Sequence, residues 1–334
     1  MPTSTSNKPS VIITMGDPAG IGAEVTVKAL ASREISGLAN FLVIGDLSVI
    51  EKAGKRSGVR CGFDILDLAN VSRKDLRCGR SRPEYGRAAI EYLDTALEIL
   101  KKGRADALVT GPVNKASINL FLHDTLYPKP YTLFEGHTEY LAARTRTRHV
   151  AMIFVSQDLK ITLVTRHIAL KDVPGAITSD AIYRTIELTR ASLKYFFGIR
   201  HPKICVSGLN PHAGEGGRFG DEEKRVILPA VRRAALKFGG IYGPAVPDVV
   251  FYDALNKKYD AVVAIYHDQG LIPFKMLHFK DGVNLTVGLP FIRTSPDHGT
   301  AFDIAGKGIA DPSSMKEAIR LACRLAAKRD RCSR

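Results

Sequence analysis

The chain has 334 residues, of which 45% are hydrophobic and 25% charged, and its formal net charge is +14. That length allows two domains or one large α/β domain, and the composition is ordinary for a globular protein. No apolar run approaches the ~20 residues that span a bilayer, and the polar N-terminus lacks the apolar core of a signal peptide. The five cysteines are scattered without a CxxC pair, so we expect no disulfide framework, no membrane partner and a cytoplasmic location.

The high positive charge has three interpretations: nucleic-acid binding, attraction of an acidic substrate, or a solvated surface without a specific role. Basic residues are spread widely, and the tightest cluster is the tail 316–334, which has the pattern of an amphipathic helix. No aromatic-rich basic strand accompanies it. We therefore expect no nucleic-acid partner, and the other two interpretations stay open.

Predicted strands and helices alternate along the chain. The strands are predicted at 11–15, 41–44, 107–110, 151–155, 161–165, 204–207 and 261–265. Helices are predicted after the turn 16–24, at 83–103, from Gly136, at 179–197, and at 221–238 with a kink at Pro229. This alternation indicates an α/β fold with a largely parallel sheet.

The first turn, Gly16 to Glu24, follows a buried strand and precedes a helix. It resembles a nucleotide-binding loop but fits neither the dinucleotide fingerprint nor the Walker A pattern. A tight strand-to-helix turn and a ligand contact are equally good interpretations. The stretch 266–312 is a stronger candidate, because it interleaves His, Asp, Asn, Lys and Arg with glycine at a density that packing does not require.

Three histidines, His167, His212 and His267, each lie just past the end of a predicted strand. In open α/β sheets, ligands bind at the carboxyl ends of the strands. Three imidazoles at that edge could converge on one divalent cation and leave positions for substrate atoms. Asp248 and Asp268 are candidates for additional ligands or for residues that orient the histidines.

Several motifs occur in the order found in one known family. They are MGDPAGIG (15–22), GPVNK (111–115), GHTE (136–139), LNPHAGEGG (209–217), YHDQG (266–270) and GLPFIRTS (288–295). Together they closely resemble the 4-hydroxythreonine-4-phosphate dehydrogenase family of pyridoxal phosphate biosynthesis. The segment HGTAFDIAGKG (298–308) is also similar to the cofactor loop of isocitrate and isopropylmalate dehydrogenases.

The resemblance implies a two-domain fold of the isocitrate/isopropylmalate dehydrogenase type, with mostly parallel sheets flanked by helices and a cleft between the domains. We expect a discontinuous cofactor-side domain at 1–135 plus 290–334, and a middle domain at 136–289 that carries the metal ligands and dimer contacts. It further implies a homodimer with its active site at the subunit interface. The cofactors would be NAD or NADP and one divalent metal per subunit, either zinc, magnesium or cobalt.

The resemblance also implies roles for individual residues. The metal ligands would be His167, His212 and His267, one of them supplied across the dimer interface. The residues that bind a phosphorylated substrate would be His137, Thr138, Lys275, Asn284 and Arg293. The cofactor would contact Leu289, Asp297, His298, Gly299, Asp303 and Ile304. The group that accepts the hydroxyl proton stays open between Lys115, Asp248, Asp268 and a water molecule.

These roles agree with the chemistry of the side chains. Lys275 and Arg293 supply positive charge for a phosphate or carboxylate, and Arg can bind it with two parallel hydrogen bonds. Asn284 can donate and accept at once, which fixes one substrate orientation. The expected reaction oxidises a secondary alcohol by hydride transfer and yields a 3-keto acid, which readily loses carbon dioxide.

Two features depart from the family pattern: Pro247 directly precedes Asp248, and Glu135 places a carboxylate before Gly136. The position of Pro247 leaves the alignment of Asp248, and so its role, open. The carboxylate of Glu135 would repel a phosphate or pair with a basic neighbour, so the exact substrate is less defined. Related enzymes act on threonate or erythronate phosphates and on aromatic cis-dihydrodiols. A transferase of acyl phosphates and a basic scaffold or nucleic-acid-binding protein are more distant alternatives.

Overall fold

A computed structural model describes residues 8–72, 74–124 and 133–332. Most of the polar N-terminal segment and the last two residues of the basic tail lie outside these ranges. The chain divides into two compact units. The terminal unit comprises Met1–Thr145 with Leu289–Arg334, and the central unit comprises Arg146–Gly288.

The first division between the units falls later than the boundary at 135/136 proposed from the sequence. The reason is the helix His137–Arg144, which is bound to the terminal unit through Tyr140 and Arg144. The hydroxyl of Tyr140 donates to the Asp94 carboxylate at 2.6 Å, and Arg144 forms an ion pair with the same carboxylate at 2.9 Å. The helix that opens with the GHTE motif therefore belongs to the terminal unit.

The terminal unit contains five parallel strands in the order β3-β2-β1-β4-β11. Its strands are β1 (Ser10–Thr14), β2 (Asn40–Gly45), β3 (Asp64–Asp67), β4 (Ala107–Thr110) and β11 (Ile292–Pro296). Its helices are α1 (Gly22–Leu30), α2 (Arg33–Ser36), α3 (Leu47–Arg56), α4 (Pro83–Lys101), α5 (Lys115–Asp124), α6 (His137–Arg144) and α12 (Ser313–Cys332).

The central unit contains six strands in the order β10-β5-β6-β9-β7-β8. Its strands are β5 (Ala151–Val155), β6 (Lys160–Leu163), β7 (Ile204–Ser207), β8 (Ile241–Ala245), β9 (Ala261–Ala264) and β10 (Val283–Val287). Its helices are α7 (Val173–Ala176), α8 (Ser179–Tyr195), α9 (Leu228–Phe238), α10 (Pro247–Leu255) and α11 (His267–His278). Strands β6, β9, β7 and β8 are parallel, whereas β5 is antiparallel to both β6 and β10.

The strands of the central unit bury both faces, since successive side chains of a strand point to opposite sides. In β9, Val263 packs in one core cluster with residues of α8 and α9, and Val262 packs in the other with residues of α10 and α11. Continuous apolar strands such as β5 and β9 follow from this arrangement. The predicted α/β class, with mostly parallel strands flanked by helices, is confirmed.

The kink predicted at Pro229 corresponds to a change of helix type. A π-helical turn, Glu223–Ile227, precedes α9, and Pro229 occupies the first turn of α9. Proline is tolerated there because the first N–H groups of an α-helix have no partner within the helix.

Within the described ranges, every helix is too short or too polar to cross a membrane. Four cysteines, Cys61, Cys78, Cys205 and Cys323, are free thiols.

Candidate functional site

Several residues predicted to bind substrate lie together in the terminal unit. Thr110 ends β4, and Arg293 lies on the neighbouring strand β11, where it is 2% exposed. The guanidinium of Arg293 donates to the Thr110 hydroxyl at 2.6 Å. His137 and Lys115 begin helices α6 and α5. We call Thr110, Lys115, His137, Thr138 and Arg293 the anion cluster.

Burial sets the electrostatics of this cluster. Burial lowers the pKa of Arg293 to about 9, against an opposing effect of Glu139, so the guanidinium remains charged at neutral pH. Burial also lowers the pKa of His137 well below its usual value, and the charges of Arg293 and Lys115 reinforce that effect. His137 is therefore a neutral imidazole beside two cations. It can donate a hydrogen bond without needing a charge of its own.

Two features of the anion cluster indicate a ligand. His137 is the first residue of α6, and a helix N-terminus favours anions because its first N–H groups have no partner within the helix. In addition, the buried Nε2 atom of His137 has no hydrogen-bond partner among the described residues. Buried polar atoms are normally satisfied. A phosphate or carboxylate would satisfy this atom and the positive charge together.

The turns that follow β1 and β4 are held against each other by glycines. A Cβ atom at Gly16 would overlap the Pro112 carbonyl oxygen, and one at Gly111 would overlap the Met15 carbonyl oxygen. Asp17 is buried, and its carboxylate accepts a hydrogen bond from the Ala19 N–H at 2.8 Å. The first turn therefore has a structural function that explains its glycines and its aspartate.

The predicted cofactor residues Leu289, Asp297, His298, Gly299, Asp303 and Ile304 also belong to the terminal unit. The segment that follows them is anchored to α1 by a buried ion pair. The carboxylate of Glu24 accepts from the N–H groups of Gly308 and Ala310, and Lys28 donates to the carbonyls of the same two residues. Lys28 and Glu24 are themselves 2.8 Å apart. The sequence contained no signal that identified this anchor beyond an acidic and a basic residue four positions apart.

The three predicted metal ligands lie in the central unit, past the ends of three adjacent parallel strands. His167 follows β6, His267 follows β9 as the first residue of α11, and His212 follows β7. The order β6-β9-β7 and its parallel register place all three strand ends at one edge of the sheet. The topological expectation that placed them there agrees with the observed strand order.

The structure brings two of these histidines close together. The ring centroids of His167 and His267 are 5.7 Å apart. Two imidazoles on one tetrahedral zinc place their ring centres on the order of 5 Å apart, given Zn–N bonds of about 2 Å. Among the described residues, however, no group of three or more His, Cys, Asp or Glu side chains is close enough to hold a metal ion. His212 instead lies with its ring centroid 6.3 Å from that of Phe219.

A carboxylate orients one imidazole of this pair. The Nδ1 atom of His267 is 2.6 Å from a carboxylate oxygen of Asp268. This contact leaves Nε2 of His267 available to a metal, which is the usual arrangement of a ligating histidine. The pair and its donor set therefore fit a divalent cation that accepts imidazole ligands. The full set of three is a prediction.

The loop that carries His212 has an unusual backbone. His212, Ala213, Gly214, Glu215 and Gly216 all have positive φ. Non-glycine residues rarely adopt this conformation, and such outliers concentrate at functional sites. The buried carboxylate of Glu223 supports the loop by accepting from the N–H groups of Leu209 and Asn210, both at 2.8 Å. The side chain of Gln269 further ties α11 to the end of β7 through the Gly208 carbonyl.

The remaining predicted residues also lie in the central unit. Asp248 is exposed in the first turn of α10, and Lys275 is half-buried in the last turn of α11. Asn284 lies on β10 and is 8% exposed, and its amide oxygen has no hydrogen-bond partner within the described part of the chain. A buried, unsatisfied amide oxygen is costly unless a ligand donates to it. Asn284 thus has the properties of a ligand-binding residue.

Comparison with known proteins agrees with the motifs. A family model described as "Pyridoxal phosphate biosynthetic protein PdxA" matches residues 15–322. The chain is 44% identical to a 4-hydroxythreonine-4-phosphate dehydrogenase of Desulforapulum autotrophicum, over 95% of this chain and 96% of that protein. It is 41% identical to a D-threonate 4-phosphate dehydrogenase of Pectobacterium atrosepticum, over 95% of this chain and 99% of that protein.

A solved structure shows the same relationship. The crystal structure of 4-hydroxythreonine-4-phosphate dehydrogenase from Klebsiella pneumoniae superposes with a TM-score of 0.84 at 37% identity, covering 97% of this chain and 99% of that chain. The family model spans most of the chain, and the match to these two dehydrogenases covers nearly the whole length of each. The family expected from the motifs is therefore confirmed: the chain belongs to the PdxA family of pyridoxal phosphate biosynthetic proteins and is a dehydrogenase.

Proposed function

We propose that the protein oxidises 4-phosphooxy-L-threonine with NAD⁺ or NADP⁺ in pyridoxine 5′-phosphate biosynthesis. The C3 alcohol loses a hydride to the nicotinamide and a proton to a base, which gives 2-amino-3-oxo-4-phosphooxybutanoate and the reduced cofactor. This β-keto acid then loses carbon dioxide to form 3-amino-2-oxopropyl phosphate. The observation that carries the proposal is the anion cluster, in which a buried arginine and a neutral histidine converge at a helix N-terminus.

In this proposal the anion cluster binds the substrate phosphate. Arg293 is held in place by Thr110, so that its fork can bind two phosphate oxygens without first being ordered. His137 donates as a neutral imidazole, and Lys115 adds a charge at the more exposed side. Lys275 and Asn284 supply a further cation and a bifunctional amide, and we propose them as substrate-binding residues of the central unit.

His167, His212 and His267 would hold a divalent metal, which when bound makes the substrate hydroxyl more acidic. Imidazole ligands favour zinc or cobalt over magnesium. Support comes from the 5.7 Å separation of the His167 and His267 rings and from the carboxylate of Asp268 on His267. We propose that one ligand of the set comes from the second subunit, because the described part of a single chain shows no group of three.

The same chain supplies candidates for the proton acceptor. Lys115 lies in the anion cluster, whereas Asp248 and Asp268 follow strand ends at the histidine edge of the central sheet. Asp268 already contacts His267 and is exposed on its other side. The nicotinamide cofactor would lie along Leu289, Asp297 to Gly299, Asp303 and Ile304, on the segment that Glu24 and Lys28 anchor.

We further propose a homodimer with the active site at its interface, in the reducing cytoplasm. Support comes from α11 and its C-cap residue Phe279: Ile272, Met276 and Phe279 are 60%, 80% and 74% exposed. Their i, i+4, i+7 spacing places them on one face of the helix, and Tyr252 of α10 is also exposed. A second copy covering this apolar face would remove it from water. The mass in solution, measured by light scattering, tests this part.

The strongest rival is a D-threonate 4-phosphate dehydrogenase, which the Pectobacterium relative represents at nearly the same identity. The two substrates share a 4-phosphate and differ at C2, which carries an amine in one and a hydroxyl in the other. The anion cluster would accept either. Glu135 departs from the family pattern, and its exposed carboxylate next to the cluster would influence which of the two substrates binds.

The deciding experiment measures NADH or NADPH formation by the metal-loaded protein with four substrates: 4-phosphooxythreonine, D-threonate 4-phosphate, D-erythronate 4-phosphate and an aromatic cis-dihydrodiol. We expect the highest kcat/KM with 4-phosphooxythreonine. A higher value with D-threonate 4-phosphate would assign the protein to the rival activity. Turnover of the cis-dihydrodiol alone would contradict the role of the anion cluster in either activity.

A further inference from the structure

The three strands that precede the predicted metal ligands end in two different ways. Between β6 and β9 the backbone pairing continues past the strands, because the Thr165 N–H donates to the Ile265 carbonyl at 3.0 Å. The Thr165 hydroxyl donates to the same carbonyl at 2.8 Å. Between β7 and β9, in contrast, the ladder stops at the pair Val206 and Val263. The end of β9 is therefore joined directly to β6 but not to β7.

The side chain of Gln269 connects β9 to β7 beyond that point. The register of the two strands, continued by two residues, would align Gly208 with Ile265. Instead of pairing with each other, the Ile265 N–H donates to Oε1 of Gln269 and Nε2 of Gln269 donates to the Gly208 carbonyl, both at 2.7 Å. The Ser207 hydroxyl also donates to this carbonyl, at 3.1 Å. A primary amide suits the position because it donates and accepts at once. We call these two bonds of Gln269 the amide bridge.

The amide bridge is buried and held from behind. Gln269 is 9% exposed and Ile265 is fully buried, so a polar group that lost its partner there would be costly. Gly270, the next residue of α11, lies tightly against the sheet. A Cβ atom at Gly270 would lie 2.8 Å from the Ile161 side chain and 3.1 Å from that of Ala264. This close packing of α11 on β6 and β9 fixes the backbone from which the Gln269 side chain extends.

Two predicted metal ligands lie on either side of the amide bridge. His267 stands two positions before Gln269, and His212 stands four positions after Gly208. Between Gly208 and His212 the loop is held further by the buried carboxylate of Glu223. Ligands of a functional site must be held to within about 0.5 Å of the productive geometry. The length of the bridge therefore affects where the two imidazoles lie.

We propose that Gln269 is a positioning residue of the metal site, whose amide sets the separation between the His212 strand end and the adjacent pair His167 and His267. This inference rests on the proposed metal-binding function of the three histidines. It applies whether His212 serves the metal of its own subunit or that of the second subunit, because the bridge fixes the strand end in both cases. Residues that orient metal ligands typically change metal affinity about tenfold to 100-fold when they are substituted.

The test measures the Zn²⁺ affinity of the chelator-treated protein by competition with a chromophoric chelator. Gln269→Met removes both bonds at similar volume and should weaken Zn²⁺ binding about tenfold to 100-fold. Gln269→Asn keeps the amide but is one methylene too short to reach both partners, so it should also weaken binding. The matched control Gln157→Met, at an exposed position of the same unit, should bind Zn²⁺ like the wild type.

A second control separates positioning from a general loss of stability. Thr189→Val removes a buried hydrogen bond of 2.9 Å from α8 to Thr162 of β6, away from the strand ends. It should lower the melting temperature and keep the Zn²⁺ affinity. The visible absorption of bound Co²⁺ reports the geometry of its ligands. This spectrum should change in Gln269→Met toward that of His212→Ala, and should stay as in the wild type in Thr189→Val.

Unchanged Zn²⁺ affinity and Co²⁺ spectrum in Gln269→Met, or equal losses in Thr189→Val, would overturn the inference. If Gln269→Met does not fold, Gln269→Asn decides by the same two measurements. Zn²⁺ binding that depends on His212 but not on Gln269 would refute the inference alone. Zn²⁺ binding that depends on both, without turnover of 4-phosphooxythreonine by the wild type, would refute the proposed substrate alone.

Discussion

The anion cluster of the terminal unit and the histidine set of the central unit differ most in burial. Arg293 and Thr138 are each 2% exposed, and the cluster is ordered by hydrogen bonds within one chain. His167 and His212 are exposed, and the described residues of one chain do not complete a group of three ligands. A buried charge must be held before the ligand arrives, because reorganising it in a low-dielectric site is costly. Exposed imidazoles tolerate water, and in the proposed function a metal and a second subunit would order them. The proposed function thus requires a phosphate site that is formed before binding and a metal site that assembles on binding.

Among the substitutions, the largest effect is expected at the histidine set. His212→Ala should lower kcat/KM on the order of a thousandfold after chelation and zinc add-back, because a metal lacking a ligand binds weakly and positions substrate poorly. His201→Ala, at an exposed position outside the set, is the matched control. Bound zinc, measured by plasma mass spectrometry, provides a readout other than activity. Near-normal turnover and zinc content in His212→Ala would remove this histidine from the metal site.

Phosphate binding by the anion cluster is proposed to depend on Arg293. Arg293→Met should reduce kcat/KM for the phosphorylated substrate by roughly 100-fold to 1000-fold, the range for removing one partner of a buried charge interaction. Arg293→Lys should recover part of the activity, since it keeps the charge and loses the planar fork. The exposed control Arg104→Met should behave like the wild type. Unchanged kinetics in Arg293→Met, with a wild-type melting curve, would place phosphate binding elsewhere.

The terminal unit also contains a buried carboxyl group, that of Asp17, which lowers the stability of the fold at neutral pH. Burial raises the pKa of Asp17 to about 6 from 3.8. Below pH 3.8 both folded and unfolded states are protonated. As the pH rises from 3.8 to 6 only the unfolded state ionises, so the cost develops over this range and is fully present above pH 6. At 1.36 kcal/mol per pKa unit, Asp17→Asn should raise the free energy of unfolding by about 3 kcal/mol at pH 7.5. Asparagine keeps an oxygen that can accept from the Ala19 N–H.

Denaturant unfolding at several pH values measures this difference. The gain of Asp17→Asn over the wild type should shrink as pH falls from 6 to 4 and vanish below that. Asp64→Asn, at an exposed position, should show no such gain. A gain that is independent of pH would mean that ionisation of Asp17 is not its cause.

The smallest effect concerns the anchor of the cofactor segment. Lys28→Met removes the hydrogen bonds to the Gly308 and Ala310 carbonyls. Each such bond contributes about 1 kcal/mol, so losing both should raise the Kd of the nicotinamide cofactor by up to roughly 30-fold. Substrate KM should change less. Lys55→Met, exposed in the last turn of α3, is the control, and hydrogen exchange should show faster exchange at 308–310 in Lys28→Met only.

Much of the fold followed from burial patterns that are local in sequence. Strands β4, β5 and β7 have the predicted limits, because each is a fully buried, mostly apolar run that a Gly or a polar residue follows. The edge strands β3 and β8 were not predicted, and neither were β10 and β11. Their pairing is specified by neighbours distant in sequence, which a single sequence does not display.

For the site, motifs identified residues but not their surroundings. The stretch 266–312 was predicted to carry functional residues, and the structure shows that it also forms α11, β10 and β11. Asn284 and Arg293 are buried because they lie on those strands. The low pKa of His137 and the support of the His212 loop by Glu223 arise from contacts between distant segments. No spacing rule could have indicated them.

The most direct test of the preformed phosphate site compares one substrate with and without its phosphate. The metal-loaded protein is assayed for kcat/KM with 4-phosphooxythreonine and with 4-hydroxythreonine under the same conditions. Because 4-hydroxythreonine lacks the phosphate that would compensate the buried charge of Arg293 and satisfy Nε2 of His137, we predict a preference on the order of 10⁴ for the phosphorylated compound. Equal values for the two compounds would contradict the assignment of the anion cluster to phosphate recognition.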